Sequence, residues 1–104
     1  MIGISGSIRL ESEDEVARVS DALARRAARS RKDAGNIDYV FSQNLEDRCE
    51  IRLYEKWESE SSLEAHLKIP DEEFAALLAN AKIERAVIDA AEIDKERWRR
   101  GRCG

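Results

Sequence analysis

The sequence has little of what most metal and nucleophilic sites require. It contains one histidine and two cysteines, Cys49 and Cys103. The cysteines are too few for a disulfide scaffold and lack the spacing of metal ligands, so we expect two free thiols and no conventional metal centre. No phosphate loop, nucleophile with its base, or dinucleotide fingerprint occurs either, which argues against the nucleotide-dependent classes.

Long apolar runs are also missing, and no short apolar segment follows a basic start. We therefore expect neither a membrane helix nor a signal peptide, and predict a cytoplasmic protein. The formal net charge of −4 argues against nucleic acid as a partner, although basic residues cluster at 25–32 and 97–102. The simpler interpretation of these clusters is a solvated helix end and a basic tail. A chain of 104 residues, 42% of them hydrophobic, has room for one core and one domain.

The first third of the chain predicts a strand followed by a helix. Apolar residues alternate with small or polar ones over residues 2–10, although Gly6 interrupts the apolar face. Ser12, with Glu15 three residues later, predicts a capping box. A stripe at helical spacing follows, formed by Val16, Val19, Leu23 and Ala27. Gly35 and Asn36 are expected to end this helix in a left-handed conformation.

The middle of the chain predicts an antiparallel hairpin and a broken helix. Residues 37–41 and 49–57 alternate with period two on either side of a polar turn, which places Glu55 and Trp57 on the face of Ile51 and Leu53. Ser59 is expected to cap a helix that carries His66 on its apolar stripe, and Pro70 to kink or split it. Because proline has no N–H, we expect the His66 carbonyl to lose its helical partner.

The run Glu55-Lys56-Trp57-Glu58-Ser59, followed by Leu63-Glu64-Ala65-His66-Leu67 and Pro70, resembles the antibiotic biosynthesis monooxygenase and quinol monooxygenase family. The resemblance implies an α+β fold: a ferredoxin-like βαββαβ unit with an antiparallel sheet, paired with a second copy into a dimeric α/β barrel. It places one such domain at residues 1–96, before a basic tail at 97–104. Helix propensity favours a continuous helix from Phe74 to Trp98, but the resemblance implies a last strand near Val87 to Asp94.

The resemblance also implies an activity and its site. The family oxidises phenolic, anthrone-type or quinol substrates with dioxygen and without metal, flavin or haem, so we expect a homodimer with no cofactor and a small aromatic substrate. His66 is then the proton acceptor, since an imidazole titrates near neutral pH. Trp57, Tyr39, Phe41, Phe74 and Leu78 would wall the pocket, and Tyr39 or Asn44 would hold a substrate oxygen. A haem-degrading branch is disfavoured, because Leu78 stands where its iron-binding histidine would be.

Each of these residues also has an ordinary structural interpretation. His66 fits a core histidine that is satisfied by a backbone carbonyl, Trp57 a packing anchor, and Tyr39 and Phe41 core residues. Glu55 on a core-facing row requires a partner, such as an arginine across the dimer or a backbone group. Two other functions therefore stay open: a non-catalytic dimeric module that binds a small hydrophobic metabolite, and an isomerase or decarboxylase that uses the same pocket.

Overall fold

The computed structural model of the protein describes residues 1–92, which form one four-stranded antiparallel sheet and three helices. In chain order these are β1 (Ile2–Leu10), α1 (Glu13–Ser30), β2 (Asn36–Gln43), β3 (Glu50–Trp57), α2 (Glu60–Leu67), α3 (Glu72–Asn80) and β4 (Ile83–Glu92). The strands lie in the order β2-β3-β1-β4. This arrangement confirms the predicted ferredoxin-like α+β fold, with the second helix divided in two.

Helix α1 begins as predicted and ends earlier than predicted. The Ser12 side chain accepts a hydrogen bond from the Glu15 N–H at 3.1 Å, which is the first half of a capping box. The second half is absent from the described contacts, because the Glu15 carboxylate instead binds Arg18 and accepts from the Lys82 N–H at 2.7 Å. The helix stops at Ser30, not at Gly35. Gly35 does adopt the predicted left-handed conformation, with φ 83°, but in the turn before β2.

The predicted hairpin is present, and its register brings the site residues of two strands together. Tyr39 of β2 lies opposite Glu55 of β3, and Phe41 lies opposite Leu53. On the other side of β3, Glu55 lies opposite Ile4 of β1. Because side chains alternate between the faces of a strand, Tyr39 and Glu55 point to the same side of the sheet.

Pro70 splits the second helix, as predicted, into α2 and α3. The His66 carbonyl loses its α-helical partner, as expected, and accepts instead from the Ile69 N–H at 3.1 Å in a tightened last turn. Asp71 then caps α3 by accepting from the Phe74 N–H. The break therefore leaves no unsatisfied carbonyl at His66, and it redirects the chain over the sheet.

The last strand, β4, pairs with β1 and begins at Ile83, four residues before its predicted start. Pairing with β1 overrides the helix propensity of this segment, since propensity is a weak prior against tertiary contacts. The predicted strand end at residues 93–94, the domain boundary at residue 96, the basic tail and Cys103 lie outside the described residues.

The core consists of two apolar clusters on the helix side of the sheet. One contains Leu10, Val16, Val19, Leu23 and Ile51, and the other contains Ala27, Tyr39 and Trp57. Phe41 packs against both clusters, and Phe74 packs against the first. As for membranes, the helices within residues 1–92 are all too short or too polar to cross one.

Candidate active site

A cavity of about 270 Å³ lies between the sheet and the helices. Its walls come from every strand and every helix, which is why no single stretch of sequence describes it. Most of its lining is apolar or aromatic, and its charged or titratable members are Arg26, Tyr39, Glu55 and His66. The remaining lining residues are Gly6, Ser7, Ile8, Phe41, Leu53, Leu67, Phe74, Leu78, Ile83, Ala86 and Ile88. An apolar cavity with a few polar groups is the usual form of a small-molecule site.

His66, on α2, is 2% exposed and both of its ring nitrogens are hydrogen bonded. Arg26 Nη2 lies 3.1 Å from His66 Nε2, and Asp33 Oδ2 lies 2.6 Å from His66 Nδ1. A guanidinium has only donors, so Nε2 accepts from Arg26 and Nδ1 carries the hydrogen that is donated to Asp33. The two contacts therefore fix a neutral imidazole with its hydrogen on Nδ1.

Arg26, on α1, organises the polar wall of the cavity. Its Nη1 donates to Asp71 Oδ2 at 3.2 Å, and its Nε makes a longer contact of 3.4 Å to the Tyr39 hydroxyl. The guanidinium carbon lies 4.6 Å from the centroid of the Phe74 ring, within the range of a cation–π interaction. Burial opposes ionisation of Asp71, but hydrogen bonds from the Phe74 N–H and Arg26 outweigh it and lower the pKa of this carboxyl. Arg26 therefore holds a partly buried positive charge at the cavity.

Glu55, on β3, is 7% exposed and accepts a hydrogen bond from Trp57 Nε1 at 3.0 Å through Oε1. Burial raises the pKa of the Glu55 carboxyl, and the Trp57 hydrogen bond together with the nearby Arg26 partly offsets this increase. Within residues 1–92, the partner of Glu55 is thus an indole two residues along the same strand, a contact that the sequence analysis did not name.

Tyr39 completes the polar wall. Its side chain is 2% exposed, and its ring makes edge contacts with Phe41 at 5.7 Å and His66 at 5.8 Å between centroids. Burial, with the neighbouring Glu55, raises the pKa of the Tyr39 hydroxyl, so this group is a hydrogen-bond donor at neutral pH.

The structure brings most of the predicted site residues to the cavity. Its lining includes His66, Tyr39, Phe41, Phe74 and Leu78. Trp57 is not in the lining; it is fully buried and lies behind His66, with the two ring centroids 4.5 Å apart. Asn44 is also away from the cavity, in the turn after β2, where its amide nitrogen donates to Glu50 at 3.2 Å.

Three residues of the polar network were not among those predicted. Arg26 was assigned to a solvated helix end, Glu55 to structural pairing, and Asp33 was not singled out. A signal existed for Arg26, because it lies seven residues after Val19 and three after Leu23, on the buried stripe of the helix. Asp33 has no such signal, since it lies in a turn that only the tertiary fold brings to His66.

Two further features bear on the chemistry. Within residues 1–92, no three His, Cys, Asp or Glu side chains are grouped so that they could hold a metal ion.

A second cleft of about 270 Å³ lies between α1 and β2. Arg31 is the one charged residue in its lining, which otherwise consists of apolar and small polar residues. Of these two cavities, the first is the one whose lining contains several acid–base groups.

Comparisons with known proteins agree with this fold. A protein from Deinococcus radiodurans, provisionally called an antibiotic biosynthesis monooxygenase, superposes with a TM-score of 0.81 at 22% identity over 91% of this chain and 94% of its own. A conserved protein from Methanosarcina mazei Go1 gives a TM-score of 0.75 at 21% identity, over 89% and 92% of the two chains. No curated protein matches the chain. The family model described as antibiotic biosynthesis monooxygenase matches residues 1–75, well over half of the sequence. The chain therefore belongs to the antibiotic biosynthesis monooxygenase family.

Proposed function

We propose that this protein oxidises a small phenolic or quinol-type aromatic substrate with dioxygen, without a metal or organic cofactor. The observation that carries the proposal is the hydrogen-bonded series Asp33–His66–Arg26 at the wall of a largely apolar cavity. This series combines a base, a group that orients the base, and a cation that stabilises an anion. Those are the functions that deprotonation of a phenol requires.

The cavity favours a small, flat and neutral ligand. Its volume of about 270 Å³ lies just below the range of ~300–1,000 Å³ that is usual for drug-sized ligands. Phe41 and Phe74, whose centroids lie 6.3 Å apart, provide aromatic walls against which a ring can pack. Arg26 is already balanced by Asp71. A neutral substrate that becomes an anion only inside the cavity therefore fits better than one that enters charged.

The first step is the transfer of the substrate hydroxyl proton to His66. Arg26 occupies Nε2 in this structure, so the hydroxyl must take its place on Nε2. The O–H bond then breaks, Nε2 gains the proton, and the displaced guanidinium of Arg26 faces the new phenolate oxygen. Asp33, on Nδ1, stabilises the positive charge that forms on the imidazole. Because the phenolate is electron-rich, it can pass an electron to dioxygen without help from a cofactor.

The test is oxygen consumption by the purified protein, freed of metal by chelation, against a panel of dihydroxynaphthalenes, anthrones and quinols. We expect uptake above autoxidation, and a fall of about 10²–10⁴-fold in His66→Gln, because glutamine cannot take the proton. Asp33→Asn is the matched variant, since it keeps an acceptor for Nδ1–H and removes only the negative charge. Uptake equal to autoxidation by the folded wild-type protein would contradict the proposal.

A non-catalytic binding module is the second candidate, and one observation favours it. Both nitrogens of His66 already have partners, which is what a purely structural histidine requires. If His66→Gln loses stability while neither protein consumes oxygen, this second function is supported. Isomerisation or decarboxylation in the same cavity would instead give turnover without oxygen uptake.

We also propose that the protein is a homodimer, with pairing through the sheet face opposite the helices. Val40 of β2 and Val87 of β4 are 41% and 46% exposed on this face, and pairing with a second copy would bury these apolar side chains. Light scattering that gives twice the mass of one chain would support the dimer. A Val87→Lys variant that remains folded should then shift the mass toward that of the monomer.

A further inference from the structure

A carboxyl group, that of Glu55, lines the cavity in addition to the imidazole of His66. His66 reaches it from α2, and Glu55 reaches it from the middle of the sheet, on β3. Each is held from outside the cavity by a single well-oriented contact: Asp33 holds His66 at 2.6 Å and Trp57 holds Glu55 at 3.0 Å. The Trp57 contact uses Oε1 of Glu55, and within residues 1–92 no hydrogen bond to Oε2 is made. One carboxylate oxygen is therefore available to a ligand.

The surroundings of Glu55 favour its acid form without providing a salt bridge. Burial raises the pKa of this carboxyl, so its acid form persists to higher pH than that of an exposed glutamate. Arg26 interacts with it only through space, because the guanidinium is engaged by Asp71, His66 and Tyr39. The groups that surround Glu55 from the packed elements are Arg26 from α1, Tyr39 from β2, His66 from α2, the apolar Ile4 from β1, and the apolar Phe74 and Leu78 from α3.

We propose that Glu55 is the proton donor of the oxygen step: it protonates the peroxide that forms from substrate and dioxygen, after His66 has taken the first proton. This inference rests on the proposed function. A cavity that contains two titratable groups in different environments can assign one to the base and the other to the acid. His66, whose Nε2 is a hydrogen-bond acceptor, suits the first task, and the buried Glu55 carboxyl, whose Oε2 lies outside the Trp57 hydrogen bond, suits the second.

The proposed reaction applies to a substrate that has an enol form and whose reacting carbon is a CH2 group in the keto form. His66 takes the hydroxyl proton of the enol form, and the anion passes an electron to dioxygen. The two radicals join through a new C–O bond, and Glu55 protonates the resulting peroxide anion. The Glu55 carboxylate then removes the remaining C–H proton, a carbonyl forms as the O–O bond breaks, and the departing hydroxide takes the proton from His66. One oxygen atom ends in the carbonyl and the other in water, and both side chains return to their initial states.

The variant that tests this assignment is Glu55→Gln, because the glutamine carbonyl can still accept from Trp57 while the side chain cannot donate a carboxyl proton. Anthrone is the probe, and two quantities are measured on each protein. The first is formation of the bound anthrone anion in the absence of oxygen, followed by its absorbance. The second is oxygen uptake. We expect Glu55→Gln to form the anion to within about 3-fold of the wild-type extent and to lose about 10²-fold or more in uptake, whereas His66→Gln loses both.

Trp57→Phe tests Glu55 through the pH profile of oxygen uptake, which would not shift if Glu55 had only a structural role. The Trp57 hydrogen bond lowers the pKa of Glu55, so its removal raises this pKa further. Because the acid form is the active one, uptake falls as pH rises through the pKa of Glu55. The descending limb of the pH profile should therefore move to higher pH in Trp57→Phe.

The outcomes separate this inference from the proposed function. Wild-type uptake that persists unchanged in Glu55→Gln would overturn the role of Glu55 and leave the monooxygenase standing. Loss of both anion formation and uptake in a folded Glu55→Gln protein would also overturn it, because Glu55 would then act before oxygen. No uptake by the wild-type protein would remove both proposals, and anion formation without uptake would favour an isomerase.

Discussion

The turn that leads into β2 makes a prediction that can be tested without knowing the substrate. Gly35 has φ 83°, in the left-handed region, and its carbonyl accepts from the Glu58 N–H at 2.8 Å. A Cβ added at Gly35 would lie 2.4 Å from Ser62 Cβ and 2.6 Å from Ser62 Oγ. Ser62 belongs to the capping box of α2, the helix that carries His66. We therefore expect Gly35→Ala to destabilise the protein and to displace the start of that helix.

The expected loss in the free energy of unfolding of Gly35→Ala has two parts. A left-handed conformation costs a non-glycine residue roughly 1–2 kcal/mol. Forcing a methyl group against Ser62 adds about 1–3 kcal/mol, as overpacking does in other tightly packed sites. The sum, about 2–5 kcal/mol, is a large fraction of the ~5–15 kcal/mol that typically separates folded from unfolded states. Urea denaturation followed by circular dichroism should show a midpoint lower by on the order of 1–3 M.

Two further variants separate strain from steric overlap. Gly6→Ala is the control for backbone strain, because the φ of Gly6 is not left-handed. Its Cβ would lie 3.2 Å from the Val87 carbonyl oxygen, a tight contact that a shift of a few tenths of an ångström relieves, so we expect a smaller loss there than in Gly35→Ala. The double variant Gly35→Ala with Ser62→Gly removes the overlap and should recover the second part of the loss in a double-mutant cycle. Equal stability of Gly35→Ala and Gly6→Ala, or no coupling in the cycle, would refute this reasoning.

Three more predictions concern the core, acid stability and the site. Hydrogen bonds from Arg18 and from the Lys82 N–H lower the pKa of Glu15 from its ordinary value of 4.5 to about 2, so its contribution to stability is complete above 4.5 and is lost as pH falls toward 2. Urea midpoints of wild type and Glu15→Gln should therefore converge over that interval, and a constant difference would contradict this. Leu10→Ala, at a side chain that is 2% exposed, should cost about 2–5 kcal/mol in the same assay, and a loss below about 1 kcal/mol would mean that the site collapses to fill the space. Asn44→Ala should leave the affinity for a naphthol ligand unchanged by fluorescence titration, because Asn44 contacts Glu50 away from the cavity; a clear loss of affinity would restore the sequence-based assignment.

Local patterns determined the order of the elements through the hairpin and both halves of the second helix. Period-two alternation identifies β1, β2 and β3 because one face of each strand is buried, and capping serines mark where α1 and α2 begin. Pro70 identified the break in the second helix, since a proline removes a helical hydrogen bond. The resemblance of residues 55–70 to the family predicted the fold class and the last strand. Propensity alone would have extended a helix through β4, which is a strand because it pairs with β1.

The site was only partly predictable for the same physical reason. A sequence pattern reports which face of an element is buried, and so it found His66, Tyr39 and Phe41. It does not report which buried faces meet. Asp33 and Arg26 are separated from His66 by 33 and by 40 positions in the sequence. Their contacts with His66 exist only because three parts of the fold converge: α1, α2 and the turn before β2. The sequence by itself determined the elements and the family, whereas the tertiary structure decided that one histidine lies between a carboxylate and a guanidinium at the wall of a cavity.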